Sequence, residues 1–462
     1  MDARVSEIGG SAAGLPPAIR GDPGVGFLPA LLHGLYDLGW LLFAVFGAPW
    51  LLWMSLRRPG FGTMVLERLG RGVGAIPRAT RPRILVHGVS VGEVKAARSL
   101  VTLLEERYPG CELVLSSSTP TGLEMARKLY PRNLAVRYPA DLSFVARRFL
   151  RALEPVLVIL VELEVWPNFL RECNRQGRAV AVVNGRITKK SHGRYLLLKH
   201  GLPEFHRISL FCAQSEEYAR RFGSLGIDPA RLCVTGNVKY DGLRSGVVEA
   251  GEELTRFVAR GAARGVVVAG STHEPEELYV ARALRRALPD ARLVLVPRHP
   301  PRCGEVVERL RSQGIVTQRL SELRAGAAPD PRAALIVDTI GELERIYALA
   351  DVVFVGGSLV PHGGQNLLEP AAQGKPVLFG PHVHNFDQEA ALLLAAGAAR
   401  RVADPAELER ELAALLADPA ARAEMGAAGM RAVEAQRGAV HITLRALEAL
   451  GLPALAARPG PG

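Results

Sequence analysis

Short, wholly apolar runs recur along this chain, and the stretches between them carry apolar residues at helical spacing. Ile84–Val86, Leu113–Leu115, Val156–Val161, Ala179–Val183 and Leu210–Ala213 are such runs, followed by Gly265–Ala269, Leu293–Val296, Leu335–Val337, Val352–Val355 and Val377–Phe379. A short apolar run without alternation reads as a strand buried on both faces, as helix-covered parallel sheets require. Between them, Val91–Tyr108 places Val94, Ala97, Leu100, Val101 and Leu104 along one helical face. The order strand, helix, strand predicts an α/β chain with parallel sheets. At 462 residues the chain exceeds what one core usually serves. Two domains are expected, 57–240 and 241–450, divided where Thr235–Asp241 gives way to a segment rich in Gly and Glu.

The pattern differs at the start. Residues 1–26 are rich in Gly and Pro with mixed charge and are expected to form a disordered lead, and 451–462 a disordered tail. Residues 27–56 form one long apolar stretch, in which Leu38–Met54 is uncharged and holds Trp40, Trp50 and Trp53. Crossing a hydrocarbon layer takes about 20 apolar residues, which this stretch supplies despite Asp37 and Pro49, so it predicts a membrane-anchor helix. A helix lying in the interface is the alternative, because both interruptions weaken a span. Either version puts the chain at a membrane, with Arg57 and Arg58 keeping everything after them cytoplasmic. No small-residue cleavage site precedes Arg57, so a cleaved secretory signal fits poorly.

Composition adds a charge. The 57 Lys and Arg exceed the 46 Asp and Glu, a net +11 that favours anionic partners such as a membrane surface or phosphorylated substrates. A dense basic tract and a basic-aromatic RNA signature are both missing, so nucleic acid is not expected as a partner. Cys111, Cys173, Cys212, Cys233 and Cys303 are odd in number and far apart, which gives neither a disulfide framework nor a zinc pattern and points to a reducing compartment.

Residues able to do chemistry cluster where apolar runs end, the place at which open α/β sheets hold ligands. After Ile84–Val86 comes His87-Gly88-Val89-Ser90-Val91-Gly92-Glu93. Ser90 and Glu93 have capping-box spacing, with Glu93 folding back to the Ser90 N–H; the other reading makes Glu93 a general base facing an acceptor hydroxyl. Ser116–Gly122 offers hydroxyls that cap the next helix and could also meet an anion. The most apolar run ends in Glu162-Leu163-Glu164-Val165-Trp166-Pro167-Asn168. Strand geometry puts Glu162 and Glu164 on one face, where a carboxylate needs a partner or a task. Lys239 is either a solvated loop lysine or a charge used in the site. Farther on, His273 is either exposed or in reach of an anion, with no metal-ligand spacing around it. Arg298, in Pro297-Arg298-His299-Pro300, suits a phosphate clamp. Val352–Pro370 combines a buried run, two glycine pairs and a helix start near Leu368. Its backbone N–H groups could cradle a phosphate and Glu369 could accept from ribose hydroxyls; the plain alternative is a surface turn.

The runs His87–Glu93, Ser118-Thr119-Pro120-Thr121-Gly122, Glu162–Asn168, Asn184-Gly185-Arg186-Ile187 and Thr235–Asp241 occur in order, and together they resemble the 3-deoxy-D-manno-octulosonic acid (Kdo) transferases of lipid A assembly. The resemblance extends from about residue 57 to 450. It implies the glycosyltransferase B fold, two Rossmann-like domains facing a cleft, with acceptor on the first and donor nucleotide on the second. It further implies inverting transfer of Kdo from CMP-Kdo to lipid IVA in lipopolysaccharide core biosynthesis, at the inner membrane. CMP-Kdo is then the donor substrate, with no separate cofactor and no metal. Carried across by motif, Glu93 matches the proton acceptor, and Glu162 and Lys239 match the transition-state stabilisers. Pro297 with Arg298, Ile340-Gly341-Glu342, and Asn366-Leu367-Leu368-Glu369 match the CMP contacts. The chain lacks an Asp-x-Asp pair, the usual magnesium holder for diphosphate sugars. A CMP sugar departs with a single phosphate, which positive side chains and N–H groups can stabilise. Two other classes remain open at this level: a glycosyltransferase B enzyme or epimerase using a UDP sugar, and a catalytically idle nucleotide-sugar-binding membrane protein.

Overall fold

A computed structural model describes residues 27–58, 60–198, 205–245, 249, 251–259 and 265–455. The expected lead over 1–26 lies outside them, as does the tail from 456. Two compact units emerge, one of residues 1–242 with 437–462 and the other of 243–436.

Seven parallel strands make the sheet of the first unit: β1 (Arg83–His87), β2 (Glu112–Ser117), β3 (Leu134–Arg137), β4 (Pro155–Val161), β5 (Ala179–Gly185), β6 (Leu210–Ala213) and β7 (Leu232–Val234). Their spatial order is β3-β2-β1-β4-β5-β6-β7. Alternate residues of one strand enter different cores: Ile84 and Val86 join one apolar cluster and Leu85 the other, and Ile159 and Leu160 divide likewise. Burial on both faces is why the sequence shows continuous apolar runs rather than alternation.

The second unit repeats the plan with β8 (Val266–Thr272), β9 (Arg292–Pro297), β10 (Thr317–Arg319), β11 (Ala334–Ile336), β12 (Val352–Val355), β13 (Val377–Phe379) and β14 (Ala399–Arg401). All pairs are parallel, in the order β10-β11-β9-β8-β12-β13-β14.

The chain then returns. Residues 437–450, expected in the second domain, belong to the first unit, where Val440, Leu444 and Leu447 of the helix Ala439–Glu448 enter a core shared with β1 and β4. Asp241 fixes the return, its carboxylate accepting the Gly438 N–H at 2.7 Å and the Val440 N–H at 3.1 Å. Part of the expected tail is ordered as well: Pro453–Leu455 forms a 3₁₀ turn and Leu455 is buried in the same core.

Ahead of the sheet lie α1 (Phe27–Arg57), continuous through Pro49, and α2 (Phe61–Arg68). Among the described residues α1 is the one helix long and apolar enough to cross a membrane. Asp37 caps the helix Ser143–Leu153, accepting the Ser143 N–H at 3.2 Å and its hydroxyl at 2.5 Å, and also takes the buried Asn168 amide at 2.7 Å. The charge that interrupts the apolar run therefore docks the helix onto the folded unit.

Candidate active site

The chain reverses its direction of growth across the first sheet between β1 and β4. Loops leaving two such strands diverge, opening a crevice at their C-terminal ends. Glu93 follows β1 and Glu162 follows β4, so topology brings together two residues that the sequence separates widely.

Ser90 caps the helix Val91–Ala96: its hydroxyl accepts the Glu93 N–H at 3.4 Å and donates to Glu93 Oε1 at 3.0 Å. Glu93 Oε2 accepts the Val89 N–H at 2.7 Å, one residue before the Ser90 N–H that the sequence pattern suggests. The cap thus fixes the carboxylate while it lines a cavity of about 200 Å³ with Glu162, Glu164, Arg186 and Tyr195. Capping and a place in the site coexist.

Glu162 sits at φ +66°, a left-handed conformation that costs a non-glycine residue on the order of 1–3 kcal/mol. Its N–H holds the Val183 carbonyl at 2.9 Å, and its carboxylate accepts Lys239 Nζ at 2.8 Å with Arg186 Nε at 3.9 Å. Asn184 positions the lysine. Fully buried at φ +56°, it accepts the Val238 N–H at 3.1 Å on Oδ1, and Asn237 Oδ1 takes the Lys239 N–H at 3.0 Å. Sequence reasoning gave Asn184 no role, although Asn before Gly at a strand end is a signal for positive φ.

Burial pushes the Glu93 carboxyl above its ordinary range, and the Glu162 charge adds to that; the Val89 N–H, the Ser90 hydroxyl and Lys239 oppose it. Glu164 is pushed up to about 7, chiefly by burial, with the Glu93 charge adding and the Trp166 indole N–H, bonded at 2.7 Å, opposing. The cavity therefore joins a carboxyl of raised basicity to a carboxylate that carries its own ammonium partner.

The second sheet reverses between β8 and β12. Here Gly356 is required, since a Cβ on it would stand 2.5 Å from Thr272 Cα and 2.8 Å from Glu276 Oε2. Glu276, fully buried, accepts four backbone N–H groups: His273 at 2.9 Å, Gly357 at 2.6 Å, Ser358 at 2.9 Å and Leu359 at 2.9 Å. This corrects the phosphate-cradle expectation at its first glycine pair, whose donors are spent, Gly356 on the Gly270 carbonyl at 2.8 Å and Gly357 on the Glu276 carboxylate. Pattern reading missed Glu276 because it looks like an acidic residue in a helix's first turn.

Basic side chains surround this point instead. The His273 ring stacks on His362 at 4.2 Å and stands edge-on to His299 at 5.7 Å. Its buried Nε2 is without a hydrogen-bond partner, and burial with the neighbouring His362, His299, Arg302 and Arg298 charges lowers the ring to about 4. Arg298 is exposed directly after β9, its N–H on the Thr272 carbonyl at 3.0 Å, and Pro297 is the buried last residue of that strand. Ile340 is 85% exposed, Gly341 has φ +92°, and Glu342 pairs with Arg324 at 2.9 Å. Asn366 accepts the Leu368 N–H at 3.1 Å and donates to Glu369 at 3.0 Å. Leu367 and Leu368 are buried. A larger cavity, about 690 Å³, lies at the opposite sheet end beside Arg292 and Ala334, the first residues of β9 and β11, so size does not mark the site.

Two Rossmann-like units, each on a seven-stranded parallel sheet, give the glycosyltransferase B fold. The solved UDP-GlcNAc 2-epimerase of Neisseria meningitidis is similar in fold, with a TM-score of 0.52 over 79% of this chain and 99% of that one at 12% identity. The family model for 3-deoxy-D-manno-octulosonic-acid transferase (kdotransferase) matches residues 64–242. The Kdo transferase of Haemophilus influenzae is 34% identical over 377 residues, covering 79% of this chain and 86% of that protein. That of Bordetella pertussis is 35% identical over 380 residues, with the same coverage of 79% and 86%. The chain belongs to the 3-deoxy-D-manno-octulosonic acid transferase family.

Proposed function

We propose that this chain transfers Kdo from CMP-Kdo to lipid IVA, inverting the anomeric carbon, with Glu93 as general base. The observation that carries the reading is the arrangement at the β1/β4 reversal, where a carboxylate of raised basicity shares a cavity with Glu162, itself bonded to Lys239 at 2.8 Å. The acceptor hydroxyl gives its proton to Glu93 as its oxygen bonds to the anomeric carbon. The bond from that carbon to the phosphate oxygen breaks, and CMP leaves with the electron pair. Glu162 and Lys239 stabilise the charge that develops. Holding acceptor and donor in line supplies the remaining rate enhancement.

The Arg298 guanidinium with the clustered His273, His299 and His362 rings suits a donor carrying both a phosphate and a sugar carboxylate. Pro297 with Arg298, Ile340 through Glu342 and the Asn366–Glu369 turn are the CMP contacts in this reading. The apolar helix α1 supports attachment to the inner membrane beside an acylated acceptor, with both units on the cytoplasmic side.

The test is incubation of the full chain with CMP-Kdo and lipid IVA, read by mass spectrometry, beside parallel incubations with UDP sugars. A lipid product heavier by whole Kdo residues is expected, with the α or β configuration of the new linkage read by NMR. Product from UDP sugars alone would overturn the donor assignment.

A further inference from the structure

We infer that Glu164 binds the acceptor: its carboxyl stands in the cavity as a neutral acid and donates a hydrogen bond to a sugar oxygen next to the hydroxyl that Glu93 deprotonates. The inference rests on the reading of the site proposed above and adds to it a residue that no step of that reaction uses.

Three carboxyls, those of Glu93, Glu162 and Glu164, line one cavity of about 200 Å³. Carboxyls that share a site do not all ionise together, and the proton settles on the one with the fewest donors around it. Glu93 has a donor on each oxygen, the Ser90 hydroxyl at 3.0 Å on Oε1 and the Val89 N–H at 2.7 Å on Oε2. Glu162 holds Lys239 Nζ at 2.8 Å, with Arg186 Nε at 3.9 Å from its second oxygen. Glu164 has a single donor, the Trp166 indole N–H at 2.7 Å on Oε2, and its Oε1 has no hydrogen-bond partner among the described residues. The proton of the cavity therefore belongs on Glu164 Oε1.

The charges that face this carboxyl agree with the count of donors. Burial and the charges of Glu93 and Glu162 raise it to about 7, against the indole bond and the Arg68 guanidinium. Tyr138 and Tyr195 are its other titratable neighbours, and burial keeps both phenols neutral. A carboxylic acid carries one O–H donor, whereas a carboxylate only accepts. Glu164 thus gives the cavity a donor suited to a ligand rich in oxygen acceptors, which a sugar is. Its neutrality also removes one charge that would repel an anionic glycosyl donor.

The experiment measures the KM for lipid IVA at saturating CMP-Kdo in the parent chain, Glu164→Gln and Glu164→Ala, with CMP-Kdo affinity by calorimetry as the check on folding. A contact made only by the protonated form of a group that titrates at about 7 raises the parent KM about tenfold between about pH 6 and about pH 8. Glu164→Gln keeps an N–H donor and cannot ionise, so its KM is expected to stay level over that range. Glu164→Ala loses the donor and is expected to raise the KM about twofold to tenfold at about pH 6, the effect of one neutral hydrogen bond. A level KM in the parent, the parent's rise retained in Glu164→Gln, or a parental KM in Glu164→Ala would overturn the inference while Kdo transfer by the parent stands. A parent chain that transfers no Kdo would overturn the reading of the site itself, and the inference with it.

Discussion

Glu93 is a residue for which the bland and the chemical readings meet in one geometry. The bonds that cap its helix leave its carboxylate in a cavity with Glu162 and Glu164, and burial raises its proton affinity. A base of raised pKa loses activity as pH falls through that value, so the acid limb of kcat/KM is expected above the ordinary glutamate range. Lys239 holds the Glu93 pKa down and Glu162 holds it up. Residual activity in Lys239→Met should therefore show an acid limb moved to higher pH, and in Glu162→Gln to lower pH. Rate profiles with no shift would place the titrating group elsewhere. Glu164 supplies a stability test. Its folded value, about 7, exceeds its unfolded value near 4.5, so the folded state binds the extra proton between those values. Stability should thus fall as pH rises from about 4.5 to 7, and Glu164→Gln should flatten that slope in denaturant titrations followed across the range. A slope unchanged by the substitution would contradict the assigned titration.

At the scale of elements, the central strands were legible because both faces of each sheet are covered, which forces continuous apolar runs. The edge strands β3, β10 and β14 were not. Thr317–Arg319 and Ala399–Arg401 are short and largely polar, so neither leaves an apolar run in the sequence. Strand order was equally out of reach, since long-range pairing leaves no local periodicity, and it is strand order that brings Glu93 to Glu162. The glycine pair after β12 was legible as a tight loop but not as one braced by Glu276, a contact across the β8/β12 reversal. Replacing Glu276 with Ala leaves four N–H groups, two of them in buried bonds, short of their acceptor and should cost on the order of 3 kcal/mol, read as a lowered denaturation midpoint. Glu276→Gln, with a single accepting oxygen, should fall between. Stability within experimental error of the parent would show that the loop does not depend on the brace. The same loop carries His362 against His273, whose ring sits near 4 without ligand. A bound anion should raise that value, visible as a shift of its NMR titration to higher pH on adding CMP-Kdo.

For the whole molecule, family membership, the two parallel sheets and the apolar helix all follow from patterns present in the sequence. The return of 437–450 to the first unit does not, because an amphipathic helix carries no mark of which core it joins. Asp241→Ala removes both caps on that return and should destabilise the first unit by about 1–2 kcal/mol, with the slope of its unfolding transition unchanged. In the proposed reaction Glu93 takes the acceptor proton during Kdo transfer. The most direct test is the single-turnover rate of Kdo transfer to lipid IVA by Glu93→Gln, measured beside the parent chain with CMP-Kdo affinity determined for both by calorimetry. A rate lowered by about 10²- to 10⁴-fold at unchanged donor affinity is predicted. A rate close to that of the parent would contradict the account and leave Glu93 a helix cap.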